Sequence, residues 1–313
     1  MLTDGTGRLP AIVINGARVR DAARLRRGCV LATAAAGWQP PLMLPTTAAD
    51  TGAGQTRAAL EAGATLVVAV GGDGTVRACA EVLTGGSVPL AIVPAGSANL
   101  TARALGIPGR LEHALEVAFG GRDRAIDVGS ADGVVFVAMA GIGLDAAVVG
   151  AAHGLAKRLT GWPAYAVAAT GQLLRRSVTF TIRIDDGEPL RRRARCVTVG
   201  NSGALPGGFA IMPGALLDDG RLDVVVLAPA GLLGWVDVGY RVAVGSRRDD
   251  DQLERHQART VQIAADGPGL PRQLDGEVVQ TSDSLSVRVL PRALLVRVPV
   301  ANVARPPAGS RSG

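Results

Sequence analysis

Apolar residues follow two rhythms along this chain. In the first third, short uninterrupted runs at 11–15, 65–70 and 89–93 alternate with Ala/Arg/Leu stretches of helical period. A weaker run lies at 42–44, and helices are expected over 55–61 and 100–105. Strands without polar interruption are buried on both faces, which predicts a parallel sheet covered by helices. After about residue 126 the pattern changes. Runs at 134–138, 179–184, 196–201, 222–227, 260–264, 285–289 and 294–298 read as strands separated by turns, with 153–174 as the main helical stretch. Many strands closed by turns predict an antiparallel β-sandwich. The expected fold class is thus α/β plus β. Residues 1–125 form a parallel-sheet domain, 126–304 an antiparallel sandwich domain, and 305–313 a Pro/Gly/Ser/Arg tail without order.

The run at 65–70 ends in Gly71-Gly72-Asp73-Gly74-Thr75, and a helical pattern follows at once. Glycines at a strand-to-helix junction let backbone N–H groups approach an anion, and the helix dipole adds to the attraction. Asp73 inside such a positive nest points to a metal ion or a substrate hydroxyl beside a phosphate. The bland alternative is a tight turn with an Asx cap. A second loop, Pro94-Ala95-Gly96-Ser97-Ala98-Asn99, follows the run at 89–93. In parallel sheets ligands bind beyond the carboxyl ends of the strands, so the two loops are expected to converge.

Composition narrows the function classes. A hydrophobic fraction of 48% supports a full core, while aromatics at 3% argue against a nucleic-acid binder that stacks bases. The net charge of +6 mildly favours polyanions such as nucleotides or anionic lipid headgroups, and Arg175-Arg176 and Arg191-Arg192-Arg193 are candidate membrane contacts or solvated faces. Cys29, Cys79 and Cys196 are dispersed in apolar company, which suggests buried thiols in a reducing compartment. The first ten residues lack the apolar core of a secretory signal, and the apolar stretch 222–240 reads as a strand, a turn and a buried helix. A cytoplasmic protein with peripheral contact to the inner face of the membrane is the expectation.

Two acidic turns complete the candidate chemistry. Asp218-Asp219-Gly220 offers one carboxylate and neighbouring carbonyls to a divalent ion; Mg²⁺ takes few protein oxygens. Leu274-Asp275-Gly276-Glu277 offers two carboxylates, either of which is a candidate general base toward a hydroxyl. Each turn alone is equally well an ordinary hairpin turn.

In order, GGDGT at 71–75, PAGSANLTARALGIP at 94–108, GIGLDA at 141–146, PGALLDDGRLDV at 213–224 and LDGE at 274–277 resemble the diacylglycerol kinase catalytic-domain family of soluble lipid kinases. The resemblance spans residues 10–300 and implies an NAD kinase- and phosphofructokinase-like first domain. It also implies transfer of the ATP γ-phosphate to a lipid hydroxyl, with diacylglycerol giving phosphatidic acid. Sphingoid bases or ceramide are the alternative acceptors; an NAD kinase and an inactive lipid-binding protein are the other readings. ATP would lie on Gly71, Gly72, Asp73, Gly74, Thr75, Val76 and Arg77, with Asn15, Thr46 or Thr47, Gly96, Ser97 and Asn99 nearby. A structural Mg²⁺ would lie on Asp219 and the carbonyls of Leu216 and Arg221. The proton acceptor falls on Glu277, with Asp275 beside it and Asp73 organising metal and phosphate. Two departures stand out. Asn15-Gly16-Ala17-Arg18 lacks the family's proline, and Asn99-Leu100 resembles the sphingosine-kinase-like branch. The resemblance leaves a homodimer open.

Overall fold

The computed structural model describes residues 7–19, 21–143, 177–203, 211–267 and 269–300. The uninterrupted apolar runs form β1 (Pro10–Ile14), β2 (Leu42–Pro45), β3 (Leu66–Gly71) and β4 (Leu90–Pro94), all parallel in the order β2-β1-β3-β4. Every residue of β3 is buried, as a strand covered on both faces demands. The covering helices are α1 (Ala22–Ala35), α2 (Ala53–Glu61), α3 (Asp73–Leu83), α4 (Leu100–Ala104) and α5 (Leu111–Gly120). Their inward side chains, among them Leu25, Cys29, Val76, Cys79, Leu83 and Leu115, close the core over Val67, Ala69 and Ile92. All three cysteines are buried free thiols; burial pushes Cys29 up to about 11 and Cys79 and Cys196 up to about 12.

The second half supplies β5 (Arg122–Ala131), β6 (Val134–Phe136), β7 (Met139–Ile142), β8 (Val178–Ile184), β9 (Leu190–Ala194), β10 (Cys196–Gly200) and β11 (Leu222–Leu227). After α6 (Gly231–Ala243) come β12 (Leu253–Ala258), β13 (Thr260–Asp266), β14 (Arg272–Leu274), β15 (Glu277–Val278) and β16 (Ser284–Val298). An antiparallel six-stranded sheet, β12-β11-β10-β7-β14-β15, faces the strands β5, β6, β8, β9, β13 and β16. Phe136, Phe180, Ile182, Val261 and Leu285 from one layer meet Ile142, Val197, Val199, Val224 and Leu274 from the other, which makes the sandwich core.

The two halves are stitched together. The runs at 285–289 and 294–298 are one strand, β16, with an irregularity between Leu290 and Leu294. Its first part pairs with β13, and its last part reaches the parallel sheet, where Val296 pairs with Leu90 of β4. Residue 126 lies inside β5, which runs beside β16 along both parts. Several strands carry no apolar run. In β9 three consecutive arginines alternate between exposed and partly buried, and β12 is polar at its centre, so neither announces itself by hydrophobicity. The helix expected over 153–174 and the tail at 305–313 lie outside the described residues.

A second difference concerns 222–240, where a buried helix was expected. The helix is α6, and its outer face is exposed at Leu233, Val236 and Tyr240. Period alone does not tell which apolar stripe of a helix is covered when both sides carry apolar residues. No described helix is long and apolar enough to cross a membrane.

Candidate active site

The glycine run turns β3 into α3: Gly71 ends the strand, Gly72 caps the helix in an extended conformation, and Asp73 starts it. No side chain caps α3, so the first N–H groups face outward as an anion cradle. The loop after β4 lies directly against it. A Cβ on Gly96 would come within 2.5 Å of Gly72 Cα, so the two backbones approach to a distance that only glycine allows. The expected convergence of the loops is thus present as backbone contact.

Other residues brace this cradle. Asn15, at the end of β1, donates through Nδ2 to Thr75 Oγ1 at 3.2 Å; Thr75 and Val76 are both buried. Asn99 adopts a left-handed conformation (φ 50°) and brackets its own loop, accepting from Gly96 N at 2.9 Å and donating to Gly96 O at 2.8 Å. Its amide is spent on loop geometry, whereas Ser97 is exposed beside it. Thr47 Oγ1 accepts from Asp50 N at 3.0 Å, closing a turn, while the Thr46 hydroxyl makes no hydrogen bond among the described residues.

The acidic residues are distributed differently from expectation. Asp73 turns inward and accepts from Thr101 N at 3.3 Å, capping α4 in place of a side chain from that helix. Burial raises its carboxyl pKa, opposed by backbone N–H groups of α4. One carboxylate oxygen of Asp73 thus braces the second loop beside the cradle. Asp275 was expected as an alternative base. It is buried in the β14–β15 turn, and its two oxygens accept from Val137 N (3.0 Å), Ala138 N (2.7 Å) and Met139 N (3.0 Å). Burial pushes this carboxyl up to about 6 against those three bonds, with Asp73 adding repulsion. Its lone pairs are committed to the β6–β7 link, so it shapes the wall instead of facing a substrate.

Glu277 points across the cleft. Its Oε2 accepts from Arg77 Nη2 at 2.7 Å, and its Oε1 occupies the space that a side chain at position 74 would need. The carboxylate is half exposed, whereas the Arg77 side chain is 17% exposed with its Nε buried and unpartnered. A carboxylate of the second domain thus stands over the helix N-terminus of the first.

The other acidic turn is pinned by a residue the sequence reading passed over. Asp127 in β5 is fully buried, and its two oxygens accept from Gly220 N and Arg292 N at 2.6 Å each. Its N–H donates to Leu217 O at 2.7 Å and its carbonyl accepts from Asn201 Nδ2 at 2.6 Å. The signal was present as a lone acid inside the apolar Ile126-Asp127-Val128. In this turn Asp219 Oδ1 accepts from Arg221 N at 3.0 Å. Asp219 Oδ2 and the carbonyls of Leu216 and Arg221 accept no hydrogen bond among the described residues. That oxygen-only set suits a hard cation such as Mg²⁺, which takes few protein oxygens and keeps water for the rest. No cluster of three or more His, Cys, Asp or Glu stands among the described residues. A polar hollow of about 550 Å³ beside Ser130, Arg183, Asp185, Gln262 and Arg288 contains none of these site residues.

Residues 29–131 match the diacylglycerol kinase catalytic domain, and 138–298 match the YegS C-terminal NAD kinase beta sandwich-like domain. The chain belongs to the diacylglycerol kinase catalytic-domain family. This kinase is 34% identical over 276 residues to a Pseudomonas fluorescens protein named "Probable lipid kinase YegS-like", covering 87% of this chain and 90% of the relative. It is 29% identical over 231 residues to a protein of Mycobacterium tuberculosis named diacylglycerol kinase, covering 70% and 72% of the two chains. The kinase shares its fold with a diacylglycerol kinase of Bacillus anthracis (TM-score 0.70, 22% identity, 93% and 97% covered). An ATP complex of an NAD kinase from Archaeoglobus fulgidus shares it more distantly (TM-score 0.51, 13% identity, 92% and 93% covered). The kinase is accordingly a phosphotransferase.

Proposed function

We propose that this kinase transfers the γ-phosphate of ATP to a lipid hydroxyl, with diacylglycerol as the first acceptor to test and a sphingoid base or ceramide as the alternative. One observation carries the reading: Glu277 reaches from the sandwich onto the uncapped N-terminus of α3. Relatives named lipid kinase and diacylglycerol kinase supply the acceptor class.

Phosphoryl transfer asks for positioning and charge neutralisation more than for covalent chemistry. The N–H groups at the start of α3 hold the terminal phosphates, with Gly72 and Gly96 keeping both loops close enough to surround them. Thr46, whose hydroxyl is free of the Asp50 turn, is the better of the two threonines for a polar contact with the nucleotide. Glu277 accepts the proton of the acceptor hydroxyl as that oxygen bonds to the γ-phosphorus, and the bond to the β–γ bridging oxygen breaks to release ADP. Arg77 steadies the carboxylate and offsets negative charge shared between it and the phosphate. Asp275 and Asp73 hold the two walls. Asp219 with the carbonyls of Leu216 and Arg221 would hold a structural Mg²⁺, which when bound would brace the 216–221 turn by neutralising its carboxylate.

The test is turnover of the purified protein with ATP and Mg²⁺ against diacylglycerol, sphingosine, ceramide and NAD⁺. Phosphatidic acid is the expected product. Phosphorylation of sphingosine or ceramide instead would shift the acceptor within the lipid reading, whereas phosphorylation of NAD⁺ alone would overturn it.

A further inference from the structure

Of the three glycines at the start of α3, two are explained within the cradle itself. A Cβ on Gly71 would lie 2.6 Å from Thr75 Oγ1, and one on Gly72 would lie 3.2 Å from Gly96 Cα. Gly74 has no such reason. It lies inside α3, and its φ is not positive, so the backbone would accept any residue. Alanine is the better helix former there. The three atoms nearest to a Cβ at this position all belong to one side chain of the second domain: Oε1, Cδ and Oε2 of Glu277.

The same spot is prepared by the next turn of the helix. Gly74 and Arg77 are three residues apart and share a face of α3. Arg77 Nη2 holds Glu277 Oε2 at 2.7 Å and pairs with no other carboxylate among the described residues. Glu277 has little else to fix it. It belongs to β15, a strand of two residues at the end of the six-stranded sheet. Among the described residues only Arg77 donates to its side chain. Its Cδ would lie 2.7 Å from a Cβ at position 74, against about 3.5 Å for ordinary contact. A methyl group there would therefore push the carboxylate back by about 1 Å. The end of a flexible side chain can yield in this way without disturbing the fold.

We propose that Gly74 is a positioning residue: the side chain it lacks leaves a seat on α3 for the Glu277 carboxylate, and Arg77 holds the carboxylate in that seat. The N–H of residue 74 remains for a phosphate whichever side chain stands there, so the glycine serves the base rather than the nucleotide. The catalytic purpose of the seat rests on the role of Glu277 proposed above; the seat itself does not. The glycines of the cradle thereby divide their work. Gly72 and Gly96 let the two loops close on the nucleotide, while Gly74 admits the group from the second domain that takes the acceptor's proton.

The experiment compares the full chain with its Gly74→Ala variant in turnover of ATP with a lipid acceptor, in ATP binding by calorimetry and in melting temperature. In the variant kcat should fall roughly 10²-fold, as for a reacting group displaced by about 1 Å, with the Kd for ATP within about twofold of wild type. The melting temperature should hold or rise, because alanine favours the helix. Added to Glu277→Gln, the same substitution should lower turnover no further, since the group it displaces is already idle. Loss of ATP binding in Gly74→Ala would assign the glycine to the phosphates and overturn the proposal. Full turnover in Gly74→Ala beside an impaired Glu277→Gln would overturn it too, since the base would need no seat. Crystal structures of the two proteins read the seat without any chemistry. The Glu277 carboxylate should rest on residue 74 and Arg77 in the wild type and stand clear of residue 74 in the variant. An unmoved carboxylate would overturn the proposal whatever the turnover. A displaced carboxylate in a chain whose Glu277→Gln variant turns over normally would uphold the seat and sink only the catalytic role of Glu277.

Discussion

Two carboxylates of one turn, Asp275 and Glu277, meet opposite environments. Asp275 is enclosed and saturated by three N–H groups, while Glu277 reaches an arginine across the cleft. Their substitutions should therefore separate. Glu277→Gln keeps the shape but not the proton acceptor, so kcat should fall roughly 10²–10⁴-fold with ATP affinity nearly unchanged. Near-normal turnover would remove Glu277 from the role. Asp275→Ala strands three buried N–H groups and should cost about 3–5 kcal/mol in denaturant titration before any effect on rate is interpretable. A third acid, Asp223 in β11, is pushed up to about 6 by burial, with help from the charge of Asp219 and against a hydrogen bond from Gln257. A folded-state value above the ordinary one means that the native state holds this proton more tightly than the unfolded chain. The contribution is fully present below about pH 4 and is lost as pH rises through about 6. Asp223→Asn should flatten the stability profile over that window; an unchanged slope would show that the group does not titrate there.

At the scale of elements, the cradle depends on two loops that touch through glycine. A methyl group on Gly96 meets Gly72 Cα and the Asn99 side chain, and neither can withdraw without moving its loop. Gly96→Ala should raise the KM for ATP at least tenfold and cost about 1–3 kcal/mol of stability, as overpacking does. Unaltered ATP binding by calorimetry would mean that the second loop lies outside the nucleotide site. The short helix α4 depends on Asp73 in a similar way, since its own Asn99 is occupied with Gly96 and gives no cap. A single acid thus fixes the second loop to the first.

Over the whole molecule, β5 and β16 pass through both halves, and Asp127 joins β5 to the bend of β16 and to the 217–220 turn. The parallel sheet and the sandwich consequently share β16, with β5 paired along it. Calorimetry should show one cooperative transition rather than two. Asp127→Ala should lower its midpoint by leaving Gly220 N and Arg292 N unsatisfied inside the protein, while a second, resolved transition would show that the halves unfold independently.

The chain alone determined the features that are local in nature. A run of apolar β-branched residues ending in glycines makes a covered strand and a helix start wherever it occurs, so β3, α3 and the cradle were readable from residues 65–83. Acids in turns were likewise visible as candidates. Their roles were not, because a carboxylate's role depends on what surrounds it. Asp73 and Asp275 became braces through backbone N–H groups supplied by residues 101 and 137–139, and Asp127 drew its partners from positions 217, 220 and 292. The strands of β9 and β12, patterned by charge, needed their neighbours to become strands at all. The exposed side of α6 was decided by which stripe the sheet covered first, a choice among apolar faces that periodicity leaves open and packing settles.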